Sequence, residues 1–384
     1  MKRLILVVGI GLLATAPGSR STAEGPHAAP ANIVAIDDAG LHLSPYTWKF
    51  SGKGPAARAE AAMPGAYLEA AFQGSATVGL VIDATVNRGC PAASMPVIEF
   101  SVDDGPYRVV PLNRTDTVYT LPMAGGLDLA KLHRVALYFR AADLTRARWT
   151  SSATHLRLAG LSLDATGTLR PFPARARRAI GFGDSITEGV GVDGLFTSWQ
   201  LLGVNNARVT WLPIACAALG CEYGQLGSGG QGMTRGLELP PLTQTWDRYD
   251  PTTTRLTGGR LLPEPEFVFC AHGTNDFDKD ITADYTRWLP AMRAACPHAR
   301  FFCVVPLLGV HEAEIRAAVE ARHRSGDPRV HLVETAPLQR AFRANQGATS
   351  LAHDGVHPSG HGQALLGALI AVEVQKVLTD SAAP

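Results

Sequence analysis

Four short segments of this 384-residue chain carry residue types that cooperate in acyl-transfer chemistry. The first, Gly181-Phe182-Gly183-Asp184-Ser185-Ile186-Thr187-Glu188-Gly189, sets a serine among glycines directly after the apolar run Ala179 to Phe182. A serine at a strand-to-helix turn presents its hydroxyl above the sheet, with the next helix N-terminus beneath it, which suits a nucleophile. Asp and Ser are also common helix N-caps, so this turn alone does not decide its use. The second segment, Asp354-Gly355-Val356-His357-Pro358, offers what a serine lacks. A hydroxyl is a weak nucleophile until a base takes its proton, and imidazole, with an unperturbed pKa near about 6.5, is the side chain for that task near neutrality. A carboxylate three residues earlier holds the ring in its working tautomer and stabilises the imidazolium that forms.

Acyl transfer also needs donors aimed at the developing oxyanion, each worth about 2.7 to 4 kcal/mol. Gly227-Ser228-Gly229-Gly230-Gln231-Gly232 follows a predicted strand at Glu222 to Leu226 and can present bare backbone N–H groups. Gly273-Thr274-Asn275-Asp276 ends the run Phe267 to Ala271, so Asn275 can turn its carboxamide to the same point.

Two kinds of patterning must position these segments. From about Ile33 to Asp164 the chain alternates in short runs such as Tyr67 to Phe72, Ala76 to Ala84, Val97 to Val102, Val135 to Phe139 and His155 to Leu163, divided by turn residues. Strands at that spacing without intervening helices predict an antiparallel sandwich over 31–166. Pro171 and Pro173 mark a stiff linker, 167–177. From 178 to 384 short apolar runs, Ala179 to Phe182, Phe267 to Ala271, Phe301 to Val305 and Val330 to Val333, alternate with helical patterns at Tyr285 to Cys296, Glu312 to His323 and Gln363 to Val377. That alternation predicts an α/β domain, a parallel sheet with helices on both faces in three layers, whose sites form at the carboxyl ends of the strands.

In this order, each at a strand end, Gly183-Asp184-Ser185, Gly230-x-Gly232, Gly273-Thr274-Asn275-Asp276 and Asp354-x-x-His357-Pro358 resemble the four signature blocks of the SGNH or GDSL hydrolase superfamily. The resemblance covers about residues 178 to 378 and implies an SGNH-type fold. It also implies Ser185 as nucleophile, His357 as base, Asp354 as its orienter, and an oxyanion hole from Ser185 N–H, Gly230 N–H (with Gly229 as the alternative) and Asn275, with no cofactor. A sandwich ahead of such a domain is similar in architecture to carbohydrate acetyl esterases with an N-terminal jelly roll. The implied reaction is hydrolysis of small acyl esters, acetyl foremost, on a carbohydrate or polysaccharide. O-acyl transfer through the same intermediate and an inactive polysaccharide-binding or assembly protein are the alternatives.

The remaining signals bound this reading. Lys and Arg number 35 against 34 Asp and Glu, without a long basic run, so the electrostatic footprint of nucleic-acid binding is missing. Met1-Lys2-Arg3, an apolar run from Leu4 to Ala16 and the small residues up to Ala23 read as a signal peptide over 1–23, hence export to the periplasm or medium. No later run looks long and apolar enough for a membrane span. His353, His357 and His361 fall four apart, but Gly355, Pro358 and Gly360 break any helix that would gather them, which argues against a metal site. Export permits disulfides, and Cys216 with Cys221 and Cys296 with Cys303 are near enough in sequence to bridge. Trp199 and Trp246 flank motif blocks and are candidates for stacking on a sugar, although core packing is the commoner fate of tryptophan.

Overall fold

The computed structural model of the chain describes residues 31–198, 202–344 and 351–380. The segment read as a signal peptide lies outside the described residues.

Twelve strands make the first domain: β1 (Ala31–Ala35), β2 (Leu41–Leu43), β3 (Lys49–Ser51), β4 (Arg58–Ala61), β5 (Tyr67–Gln73), β6 (Thr77–Asp83), β7 (Val97–Val102), β8 (Arg108–Pro111), β9 (Val118–Gly125), β10 (His133–Ala141), β11 (Leu156–Asp164) and β12 (Thr168–Arg170). They form two antiparallel sheets, β3-β4-β11-β6-β9 with β1 on β11, and β12-β5-β10-β7-β8 with β2 on β5. The alternation seen in the sequence is realised along β10, where Val135, Leu137 and Phe139 are buried among Leu68, Phe72, Ile98, Leu158 and Leu161. Such period-two burial is what a jelly-roll-like sandwich requires of its inner faces. The linker is shorter than expected, because Thr168–Arg170 pairs with β5 through Thr168↔Gln73 and closes the sandwich edge. A three-residue strand is too short to show alternation, and the flanking prolines masked it.

The second domain holds a five-stranded parallel sheet of β13 (Arg177–Gly183), β14 (Cys221–Gly227), β15 (Phe267–Ala271), β16 (Arg300–Val304) and β17 (Val330–Val333), ordered β14-β13-β15-β16-β17. Its helices are α1 (Ser185–Glu188), α2 (Trp211–Leu219), α3 (Leu242–Thr245), α4 (Thr282–Ala295), α5 (Glu312–Arg324), α6 (Ala336–Ala344) and α7 (Gly360–Asp380). Buried on both faces, the strands read as continuous apolar runs. Along β15, Val268 and Cys270 face a layer with Trp288, Leu289 and Ile315 of α4 and α5. Phe267 and Phe269 face the other layer, with Trp211, Leu366 and Ile370 of α2 and α7. The order reverses between β13 and β15, which is where open α/β sheets place their sites.

Two further expectations need correction. Helix α7 is long and apolar enough, at a mean hydropathy of 1.2, to cross a membrane by length and composition, although the sequence reading found no such run. Much of its apolar surface is used in packing: Ile370 and Val374 are buried, and Gly367 lets α7 approach Ile214 of α2. The six cysteines are all free and buried, so neither bridge suggested by sequence proximity is present. Cys303 lies within β16 and Cys296 ends α4, each enclosed in the same apolar layer.

The two domains share their cores. Tyr46 and Met63 of the sandwich join the layer beneath α4, and Tyr67 joins the layer beneath α2, where its hydroxyl accepts the Tyr223 N–H at 3.3 Å. The approach is so close that a Cβ on Gly224 of edge strand β14 would lie 2.3 Å from the Pro45 carbonyl oxygen. The sandwich thus covers an edge that would otherwise expose unpaired backbone groups.

Candidate active site

Ser185 opens α1 immediately after β13. Asp184 is the N-cap, its Oδ1 accepting the Ile186 N–H at 2.9 Å, so the capping role falls to Asp184 and not to Ser185. The helix is a single turn, and the chain is held beneath it by Gln363 of α7, whose Nε2 donates to the Ile186 carbonyl at 2.9 Å.

The loop before α7 brings the base. Asp354 Oδ1 accepts the backbone N–H groups of Val356 at 3.0 Å and His357 at 2.7 Å, which curls the loop over its own carboxylate. Its Oδ2 accepts the His357 Nδ1–H at 2.6 Å, and the Ser185 hydroxyl donates to His357 Nε2 at 2.9 Å. This is the tautomer a base needs, since both carboxylate oxygens can only accept. Burial would raise the Asp354 carboxyl, but the hydrogen bonds from the His357 ring and backbone hold it down at about 2. Phe196 sets its ring edge-on to the imidazole, centroids 5.2 Å apart, and restricts its rotation.

The glycine block is tied in three ways. The Gly229 N–H donates to Glu188 Oε2 at 2.6 Å, so it faces inward, away from any substrate, which removes Gly229 as the alternative donor. Gln231 N–H donates to Ser228 O at 3.1 Å, closing a turn with Gly230 at φ +73°. Only glycine fits there, because a Cβ would also lie 2.6 Å from Leu237 Cβ. Among the described residues the Gly230 N–H has no protein partner. Asn275 Nδ2 donates to Gln231 O at 3.0 Å and keeps a second N–H in reserve. Sequence reasoning missed the strap between these loops: buried Asp276 accepts the Met233 and Thr234 N–H groups, both at 2.9 Å, and the Thr234 hydroxyl at 2.7 Å. His272, without a role in the sequence reading, is fully buried, and burial lowers it to about 4, so it is neutral and packs its Nδ1 3.3 Å from Gln231 O.

Two further acidic groups stand beside Ser185. Burial raises Asp184 to about 6, against the opposing pull of the Ile186 N–H, the Thr274 hydroxyl and the His357 charge. Glu188 is buried against Arg148 of the sandwich, with Nη1 2.8 Å from Oε1. The only hint of this in the sequence is a charged residue inside a small, glycine-flanked helical turn. Trp246 is half-buried and lines a cavity of about 20 Å³ behind the glycine block with Met63, Trp149 and Ser228, and no member of the Ser185–His357–Asp354 line borders it. There it packs between the domains, beside Met63 and Trp149 of the sandwich. Trp199 lies outside the described residues. His361 is exposed in the first turn of α7, and among the described residues no three His, Cys, Asp or Glu side chains gather into a metal-sized cluster.

Residues 182–365 match the GDSL-like lipase/acylhydrolase family, which makes the second domain a GDSL-type acylhydrolase domain and the protein a carboxylic ester hydrolase by class. At the level of the whole fold the chain is similar to solved carbohydrate esterases. A family two carbohydrate esterase from Cellvibrio japonicus superposes with TM-score 0.71 at 17% identity, over 91% of this chain and 98% of that one. A family two carbohydrate esterase from Clostridium thermocellum, in complex with cellohexaose, gives 0.68 at 21% identity over 88% and 99%. An acetyl xylan esterase from the rumen bacterium Butyrivibrio proteoclasticus gives 0.70 at 14% identity over 92% and 99%. These likenesses show a shared two-domain fold, sandwich included. No curated protein matches the sequence.

Proposed function

We propose that this protein is an exported serine esterase that removes small acyl groups, acetyl foremost, from a carbohydrate. The observation that carries the reading is the hydrogen-bonded line from Ser185 Oγ through His357 to Asp354, at 2.9 and 2.6 Å. Ser185 Oγ attacks the ester carbonyl as His357 Nε2 takes its proton. The tetrahedral oxyanion sits against the N–H groups of Ser185 and Gly230 and the Asn275 carboxamide. His357 then protonates the leaving sugar alkoxide, releasing the alcohol and an acyl-Ser185 ester. Water, deprotonated by His357, attacks that ester, and collapse of the second intermediate returns Ser185 with release of acetate.

Two observations support a small acyl group on a sugar. Ser185 is only 4% exposed and Phe196 crowds His357, so a compact carbonyl is favoured over a bulky one. Several of the proteins sharing this fold are carbohydrate esterases by name and one is an acetyl xylan esterase, while another is a salicylyl-acyltransferase, which makes a test with an added acceptor necessary. Acetate release from acetylated xylo- and cello-oligosaccharides, with acyl chains of increasing length, tests the reading. Ser185-dependent release that falls with chain length supports it. Equal rates for long chains would remove the small-acyl part, and no release from any acetylated sugar would remove the carbohydrate part. Adding an unacylated sugar acceptor separates hydrolysis from transfer. Cleavage after Ala23 in a secreting host tests export.

A further inference from the structure

The second domain's glycine turn is held in place from the first domain. Arg148, in the loop between β10 and β11, has 0% of its side chain exposed and Glu188 3%. The guanidinium grips the carboxylate with both nitrogens, Nη1 2.8 Å from Oε1 and Nη2 donating to Oε2 at 3.1 Å. Arg148 is itself seated by the sandwich, because the His155 ring bridges the Arg148 carbonyl at 2.9 Å and Glu60 Oε1 at 2.7 Å. At the far end of the chain of contacts, Glu188 Oε2 accepts the Gly229 N–H.

We propose that Arg148 is a positioning residue for the oxyanion donor, acting through Glu188 on the turn that presents the Gly230 N–H; this rests on the serine-esterase reading of the site. The turn runs from Ser228 to Gln231, with Gly230 alone of its central residues at positive φ, the type II form. Types I and II differ by a flip of the central peptide, which is the one carrying the Gly230 N–H, so a flip reverses that donor. The Gly229 N–H on Glu188 and the Gln231 N–H on Ser228 anchor the peptides on either side of it, and so set where the turn holds the Gly230 N–H relative to Ser185. Without the guanidinium the buried carboxylate is left unpaired, and moving it away to relieve that cost would draw the Gly229 N–H, and the turn with it, out of place. The sandwich thereby contributes to catalysis without touching substrate.

The test uses the full chain and a chromogenic acetyl ester, with a trifluoromethyl ketone as tetrahedral-intermediate probe. Arg148→Met is expected to lower kcat by about 100-fold, the scale of one lost oxyanion donor. KM should stay within about twofold while the ketone Ki rises in parallel with the loss of kcat/KM, since only the transition state meets the donor. A variant with kcat within about threefold of the parent, or with its loss confined to KM, would overturn the proposal. If Arg148→Met does not fold, two double variants replace it. Arg148→Met with Glu188→Gln keeps an acceptor for Gly229 without an unpaired charge, whereas Arg148→Met with Glu188→Leu keeps none. The first should exceed the second in kcat at least about tenfold, and equal kcat would overturn the proposal. Absence of Ser185-dependent turnover in the unaltered protein would instead overturn the esterase reading, and this proposal with it.

Discussion

Asp354→Asn isolates the orienting carboxylate with almost no change of shape. In the parent, Oδ1 accepts two backbone N–H groups, at 2.7 and 3.0 Å, and Oδ2 accepts the imidazole Nδ1–H at 2.6 Å. An asparagine has one acceptor oxygen and one donor nitrogen for these places. If its NH2 group faced the backbone it would oppose two donors, and if it faced the ring it would oppose one. The oxygen therefore stays with the loop, and the NH2 group turns towards Nδ1. The imidazole relieves the clash by moving its proton to Nε2, and Nε2–H cannot accept the Ser185 proton. The same tautomer trap in a serine protease costs about 10⁴ in kcat, roughly 5.5 kcal/mol at about 1.36 kcal/mol per decade. The expectation here is a kcat loss of about three to four decades with KM within about threefold, measured on a chromogenic acetyl ester and checked by an unchanged thermal midpoint. A loss smaller than about tenfold would refute the reasoning, because it would mean that another acceptor orients His357.

Further outcomes follow from the same geometry. Gly230→Ala must place a Cβ 2.6 Å from Leu237 Cβ at φ +73°, so kcat on the chromogenic ester should fall at least about 100-fold, and Leu237→Ala should restore only part of it. Asp184 is raised from 3.8 to about 6 in the folded state, so its contribution to stability is full below about pH 4 and is lost as pH rises through about 6. The difference is about 3 kcal/mol at about 1.36 kcal/mol per pH unit, and denaturant titrations of Asp184→Asn should show that segment of the pH profile flattened. Asp354 has the opposite sign: depressed to about 2, its contribution is present above about pH 4 and disappears as pH falls through about 2. Because all six thiols are free, a reducing agent should leave the thermal midpoint unchanged, and a fall on reduction would contradict the packing described.

Legibility in the sequence followed the range of the interactions. The strands β7, β15 and β17 were delimited to the residue because burial on both faces leaves largely apolar runs between turn signals, and α4 and α5 to within three residues because burial on one face writes a period into a helix. Helix α2 went unseen, since Trp211–Leu219 is apolar on every side, like a buried strand. Ser185, His357 and Asp354 were readable because the last two share a short loop and the first sits at a patterned turn. Arg148 was not, because its meaning comes from Glu188, 40 residues away and across a domain boundary. The Asp276 strap and the choice of Gly230 over Gly229 likewise depend on which backbone N–H groups face inward, a property of the folded loops alone. Cysteines close in sequence were candidates for bridging until the fold placed them as buried thiols in the apolar layers.

The most direct test of the serine-esterase account is acid-quenched mass analysis of the protein mixed with excess chromogenic acetyl ester. The account predicts an adduct of one acetyl group, mapped by peptide analysis to Ser185, accumulating in the parent and missing from Ser185→Ala together with turnover. Turnover that persists in Ser185→Ala, or an acetyl group carried on a different residue, would contradict it.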